Sequence, residues 1–185
     1  TTTATPLGTG GRGGAYRLRG NKWFFSAPTS DAHLVVARVA PDDGIGCFWV
    51  PRWRPDGTRN AIRCHGLEKK MGIKGSATCA MGFEGATGWL IGQPHKGLAA
   101  MFVMMNAARL HVGLQGLGHL DAAAANARAY AAQRVQGRGR TLDAHPAVRH
   151  VLWRLRAQVD AGRVLAYACA MDLDEAHHHP VPTRR

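Results

Sequence analysis

Two textures divide the chain. Up to about residue 93, apolar and polar positions alternate in short runs. Beyond it, apolar residues recur every three or four positions. Tyr16-Arg17-Leu18-Arg19 alternates as a strand does, and Gly20-Asn21 reads as a tight turn into a second short strand, Lys22 to Ser26. His33 to Val39 is a third strand, ended by the turn Pro41-Asp42-Asp43-Gly44, and Ile45 to Val50 is a fourth. Ala61 to Cys64, Ala77 to Phe83 and Gly88 to Ile91 are further candidates. The opening TTTATPLGTGGRGGA is rich in Gly and Thr and predicts a loop or frayed end. Short strands at close spacing, separated by Gly, Pro and Asp, predict a β-sandwich or barrel.

The texture switches near Pro94-His95-Lys96-Gly97. Leu98, Met101, Met105, Ala108 and Val112 follow helical spacing, and one long helix is expected from Gly97 to about Gln136. Gly113, Gly116 and Gly118 lie inside it. Each costs about 0.5–1 kcal/mol relative to Ala, which suggests close approach of another helix or a ligand. Gly137-Arg138-Gly139-Arg140 breaks the pattern. A second helix is expected from Ala147 to about His177, with an apolar face of Val148, Val151, Leu152, Leu155, Val159, Val164 and Leu165. The reading is α+β: a β-unit over residues 1–93, then a helical unit of long antiparallel helices over 94–185.

Composition narrows the function classes. The chain has 185 residues, enough for one or two compact units. No run reaches the ~20 consecutive apolar residues of a membrane span, and no signal-peptide pattern is present. The expectation is a soluble cytoplasmic protein. The chain begins without Met and ends HHHPVPTRR, which leads us to expect a fragment. Cys47, Cys64, Cys79 and Cys169 form no CxxC pair and read as reduced thiols. The net charge of +12 suits a nucleic acid or a phosphate-rich small ligand. The charge is scattered rather than gathered into a tail, so it does not choose between them.

The usual catalytic signatures are missing: no GxSxG, P-loop, HExxH or GxGxxG appears. His177, His178 and His179 are consecutive. On a helix they point different ways and cannot share one ion. Acidic residues are few and unpaired, so no metal site and no catalytic residue is expected within the chain. Ser26 ends an aromatic strand; it is either a ligand-facing hydroxyl or one bonded to backbone. Arg109 and Arg134 on the long helix are either ligand contacts or a solvated face.

The run GNKWFFSAPTSDAHLVVARV resembles the middle-domain signature of the acyl-CoA dehydrogenases. Further on, Lys70-Met71-Gly72-Ile73-Lys74-Gly75-Ser76, Thr78, Phe83-Glu84-Gly85 and Leu90-Ile91-Gly92 keep the family's order. Gln133-Arg134-Val135-Gln136-Gly137 is similar to the family's Glu-Arg-x-x-Phe-Gly. Two branches resemble this chain most: the alkylation-response flavoproteins and the methylthiopropanoyl-CoA dehydrogenase-like enzymes. The resemblance implies part of a middle β-domain followed by the first helices of a C-terminal bundle. It also implies FAD, α,β-dehydrogenation of an acyl-CoA thioester, electron transfer to an electron-transfer flavoprotein, and a homodimer or homotetramer. Phe24 and Phe25 match the pair that flanks the isoalloxazine ring, and Ser26 the hydroxyl near flavin N5. Arg134 and Gln136 match residues that meet the FAD pyrophosphate of a neighbouring subunit. Asn106 and Arg109 match an Asp-x-x-Arg that meets the CoA substrate, with Asn replacing Asp. The family's catalytic glutamate falls outside this chain, or just before Arg109, where the chain has Ala108. No turnover and no tight FAD binding by this polypeptide alone are therefore expected. The alternative implied by the first branch is a flavoprotein that binds duplex DNA.

Overall fold

The computed structural model describes residues 1–41 and 44–178. Asp42 and Asp43 of the expected turn, and His179, lie outside them. Six strands come first: β1 (Thr2–Pro6), β2 (Ala15–Phe25), β3 (Ala32–Val39), β4 (Gly44–Pro51), β5 (Ile62–Leu67) and β6 (Cys79–Ile91). They hydrogen-bond in the order β2-β1-β3-β4-β6, and β6 returns to pair with β2, so the sheet closes on itself. β5 lies against the first half of β6. Only β1 and β3 run parallel; the other pairs are antiparallel. Closure leaves few open edges.

The alternation seen in the sequence fills this barrel. His33, Val35, Ala37 and Val39 of β3 point inward, and Leu18, Phe48, Val50 and Phe83 meet them. Burying each such Leu or Phe contributes about 1.5–3 kcal/mol. Tyr16 and Phe48 pack edge to face at 5.1 Å.

Three local expectations are corrected here. The opening is no frayed end. Thr2 and Ala4 are buried on β1, which pairs with residues 16–20 of β2. Gly20-Asn21 is not a turn, because β2 runs through it. Gly20 has φ 125°, and a Cβ there would lie 2.3 Å from the Thr1 carbonyl oxygen, so the glycine admits β1 rather than reversing the chain. The two candidate strands near residues 77–91 are one. Gly85, at φ 91°, is the extra residue where Leu18 pairs with Ala86 and Arg19 with Glu84. It makes a bulge in a continuous strand.

The chain divides into two compact units, Thr1–Met105 and Asn106–Arg185. The long helix α1 (Gly97–Gln133) starts in the first. A Cβ at Gly97 would lie 2.3 Å from the Gly46 carbonyl carbon, so glycine lets the first turn rest on β4.

In the second unit α1 continues to Gln133, and a 3₁₀ turn (Leu142–Ala144) leads into α2 (Pro146–His178). Pro at the first helical position fits, since its missing N–H would have had no partner. The two helices run antiparallel. They meet where a Cβ on Gly162 would contact Leu117 at 3.1 Å, where Arg163 pairs with Asp121 at 2.6 Å, and around buried Ala124, Ala131 and Val159. The packed stripe of α2 runs through Val148, Leu152, Leu155 and Val159 as expected. Val151, Val164 and Leu165 are exposed instead. No helix closes on Gly113, Gly116 or Gly118, because an added Cβ at each meets nothing within 4 Å, and of the two alternatives the helix contact is the one overturned. The close glycine is Gly162, on the other helix.

Candidate functional site

The end of β2 is the most unusual edge of the barrel unit. Its pairing with β6 slips between Lys22 and Phe25, leaving Trp23 and Phe24 outside the ladder. Phe24 takes a left-handed φ of 53°, which costs a residue with a side chain about 1–2 kcal/mol. The slip turns both rings to solvent: Trp23 is 72% and Phe24 57% exposed, their centroids 4.8 Å apart. The Trp23 indole N–H donates to the Glu68 carboxylate. Phe25 turns the other way and packs on the core, edge-on to His33 at 5.0 Å. Ser26 follows, exposed. Burial lowers the Lys22 ammonium from its ordinary value. Of the three residues singled out here, Phe24 and Ser26 are exposed and Phe25 is half-buried against the core.

Arg134 and Gln136 sit in the second unit, in the loop after α1. The Arg134 N–H still closes the helix on Tyr130, and its carbonyl accepts from Leu142 at 2.9 Å. The Gln136 carbonyl pairs with His145 Nε2 at 2.8 Å. Left-handed Gly137, Arg138 and Gly139 make the bend that Val135 and Thr141 bridge. The backbone is thus tied down while both side chains stay exposed. Such a cationic loop suits an anionic group.

Asn106 and Arg109 share one turn of α1, and Arg109 Nη1 donates to Asn106 Oδ1 at 3.4 Å. They open a groove of ≈ 690 Å³ between α1 and α2, floored by Gly113 and Gly116 and faced by Cys169 and Asp172 of α2. The three arrangements bring Phe24 with Ser26, Arg134 with Gln136, and Asn106 with Arg109. Sequence reasoning missed Trp23, Cys169 and Asp172. Trp23 stood in the same aromatic run as Phe24. Cys169 and Asp172, one turn apart, needed knowledge of which α2 face meets α1. Among the described residues no three His, Cys, Asp or Glu side chains converge as metal ligands.

A closed barrel leading into an antiparallel helix pair defines an α+β protein. Residues 1–86 match the family model described as acyl-CoA dehydrogenase, middle domain, and residues 95–184 match acyl-CoA dehydrogenase, C-terminal domain. The chain belongs to the acyl-CoA dehydrogenase family. It is 40% identical to AidB of Escherichia coli (strain K12), over 87% of this chain and 29% of AidB. It is 38% identical to the 3-methylmercaptopropionyl-CoA dehydrogenase of Ruegeria pomeroyi, over 92% of this chain and 33% of that enzyme. The acyl-CoA dehydrogenase of Bacillus anthracis, solved complexed with FAD, superposes with a TM-score of 0.75 at 26% identity, over 90% of this chain and 28% of that one. The chain thus spans about a third of the length of these relatives.

Proposed function

We propose that this chain is part of an FAD-dependent acyl-CoA dehydrogenase that removes hydrogens from the α and β carbons of an acyl-CoA thioester. Residues 1–93 would be the second half of its middle domain and residues 94–185 the first part of its helical domain. The observation that carries the reading is the end of β2. An exposed aromatic ring and an exposed hydroxyl lie two residues apart where β2 ends, the kind of edge a flat, hydrogen-bonding cofactor can use. Phe24 would lie against the isoalloxazine, and Ser26 would bond its edge. Phe25 would support both from the core. Arg134 and Gln136 would meet the pyrophosphate, for which a guanidinium's fork of donors is suited. When bound, FAD supplies the acceptor for the hydrogens that leave the thioester.

Asn106 and Arg109 would hold the CoA portion at the groove between the helices. Abstracting the α-proton needs a carboxylate close to the substrate. Ala108 supplies none at the position before Arg109, and the family resemblance implies a base outside this chain. An electron-transfer flavoprotein takes the electrons onward, and the assembly is a cytoplasmic homodimer or homotetramer. Flavin titration tests the reading. The purified chain should hold FAD weakly and show no acyl-CoA-dependent bleaching near 450 nm. Excess FAD should raise its melting midpoint. Ser26→Ala and Arg134→Gln should each reduce that rise. A midpoint indifferent to FAD, or unchanged responses in both variants, would remove the support.

A further inference from the structure

At one mouth of the barrel lies a concave site of ≈ 280 Å³ that the flavin reading leaves unused. Its polar wall is built by a hairpin. Arg54 N–H bonds Thr58 at 2.8 Å, Asn60 N–H bonds Arg52 at 2.9 Å, and Trp53 and Arg59 bridge between the legs. This pairing sets Arg52 and Arg59 on opposite legs at the hairpin base. Both line the cavity, together with His33, Thr29 and Cys64.

Asn60 also lines it but has nothing left to offer a ligand. Its amide donates to Pro51 and Thr87 carbonyls at 2.8 and 2.7 Å, and its oxygen accepts from Ala61 and Thr87 N–H at 3.0 and 2.8 Å. It anchors the hairpin. Arg52 spends one N–H on the Thr29 carbonyl, at 3.0 Å. No carboxylate lines the cavity. The nearby Glu68 is turned to the Trp23 indole, and Glu84 lines the adjoining groove, which Arg59 and Arg63 also line. Among the described residues, neither Arg52 nor Arg59 has a salt-bridge partner.

Arg52, Arg59 and His33 thus line one small concavity whose remaining wall is largely apolar, from Pro28, Ile62, Leu67, Ala77 and Met81, with no carboxylate among the lining residues. Concave walls concentrate such a field, and the natural complement is a compact oxyanion. The volume falls below the ~300–1,000 Å³ usual for a drug-sized ligand, which limits the occupant to a small group. We propose that the cavity between Arg52, Arg59 and His33 is a phosphoryl-group site, taking free inorganic phosphate or a terminal phosphate monoester of a larger ligand. It stands on the barrel unit alone and does not depend on where the flavin binds.

The test is titration of the whole chain with inorganic phosphate, followed by calorimetry and tryptophan fluorescence at ionic strength held constant with chloride. Saturable binding at one site is expected. Arg59→Gln should weaken it about tenfold or more, as loss of a charge-assisted hydrogen bond does. Arg63→Gln, exposed on β5, should stay within about twofold. Arg52→Gln serves equally if Arg59→Gln melts early. Competition by CoA and by dephospho-CoA separates the sources. A preference for CoA that disappears in Arg59→Gln assigns the phosphate monoester; equal, weak competition by both assigns the free ion. Absence of saturable binding, or equal loss in Arg59→Gln and Arg63→Gln, would overturn the proposal.

Discussion

Asn60 shows how one polar side chain can hold a hairpin to a barrel. It is 5% exposed, and both its donors and both its acceptor positions are taken by backbone groups of β4, β6 and its own loop. Asn60→Ala removes the side-chain partners of those backbone groups. The expected loss is roughly 3 kcal/mol in urea denaturation, toward the large end for a single substitution. His33 supplies a pH dependence. Burial first, and the Arg52 charge second, lower its pKa from the ordinary 6.5. The unfolded chain therefore takes up a proton near pH 6.5 while the folded chain does not. The stability linked to this group is complete above that value and is lost as pH falls through the lowered folded pKa. Melting scans should show this acid limb, and His33→Gln should flatten it between pH 6.5 and the folded pKa. An unchanged limb would mean that His33 titrates freely.

Strands and helices were legible in the sequence wherever a period repeated undisturbed. β3 alternates cleanly, and α1 and α2 begin within a residue of where the texture placed them. The misreadings cluster at glycines, which carry two meanings that sequence cannot separate. Gly20 and Gly85 read as turns but admit a close neighbour and a bulge within long strands. Gly113, Gly116 and Gly118 read as a helix contact or a ligand contact; no helix meets them, and Gly113 and Gly116 line the groove instead. β1 was missed because Thr and Ala alternate without large side chains. Only pairing with β2 shows that Thr2 and Ala4 point inward. The β2 edge was legible as an aromatic run ending in a hydroxyl. Which ring faces out was not, because that depends on the ladder slip after Lys22. Gly118→Ala tests the open helix face. With no neighbour to meet, the methyl should stabilise the chain by about 0.5–1 kcal/mol in thermal or urea melts. Destabilisation would reveal a surface packed there in solution.

Across the molecule, the +12 charge is distributed over both units. By length and composition alone α1 could cross a membrane, with a mean hydropathy of 1.3 over its most apolar stretch. Asn106, Arg109 and His111 interrupt that run, and α1 falls within the match to the family's C-terminal domain. Exposed Phe102, Val103 and Met104 belong to the same helix. The chain covers about a third of its relatives, so the flavin contacts proposed for it are best tested in a complete framework. The decisive measurement is the flavin content of a chimaera in which residues 1–185 replace the matching segment of the Ruegeria pomeroyi enzyme, which is 38% identical. A folded chimaera should purify with FAD absorbing near 450 nm, and Arg134→Gln or Ser26→Ala should lower its occupancy. A chimaera that melts cooperatively yet carries no flavin, or one whose flavin ignores both substitutions, would contradict the flavin role assigned to these residues.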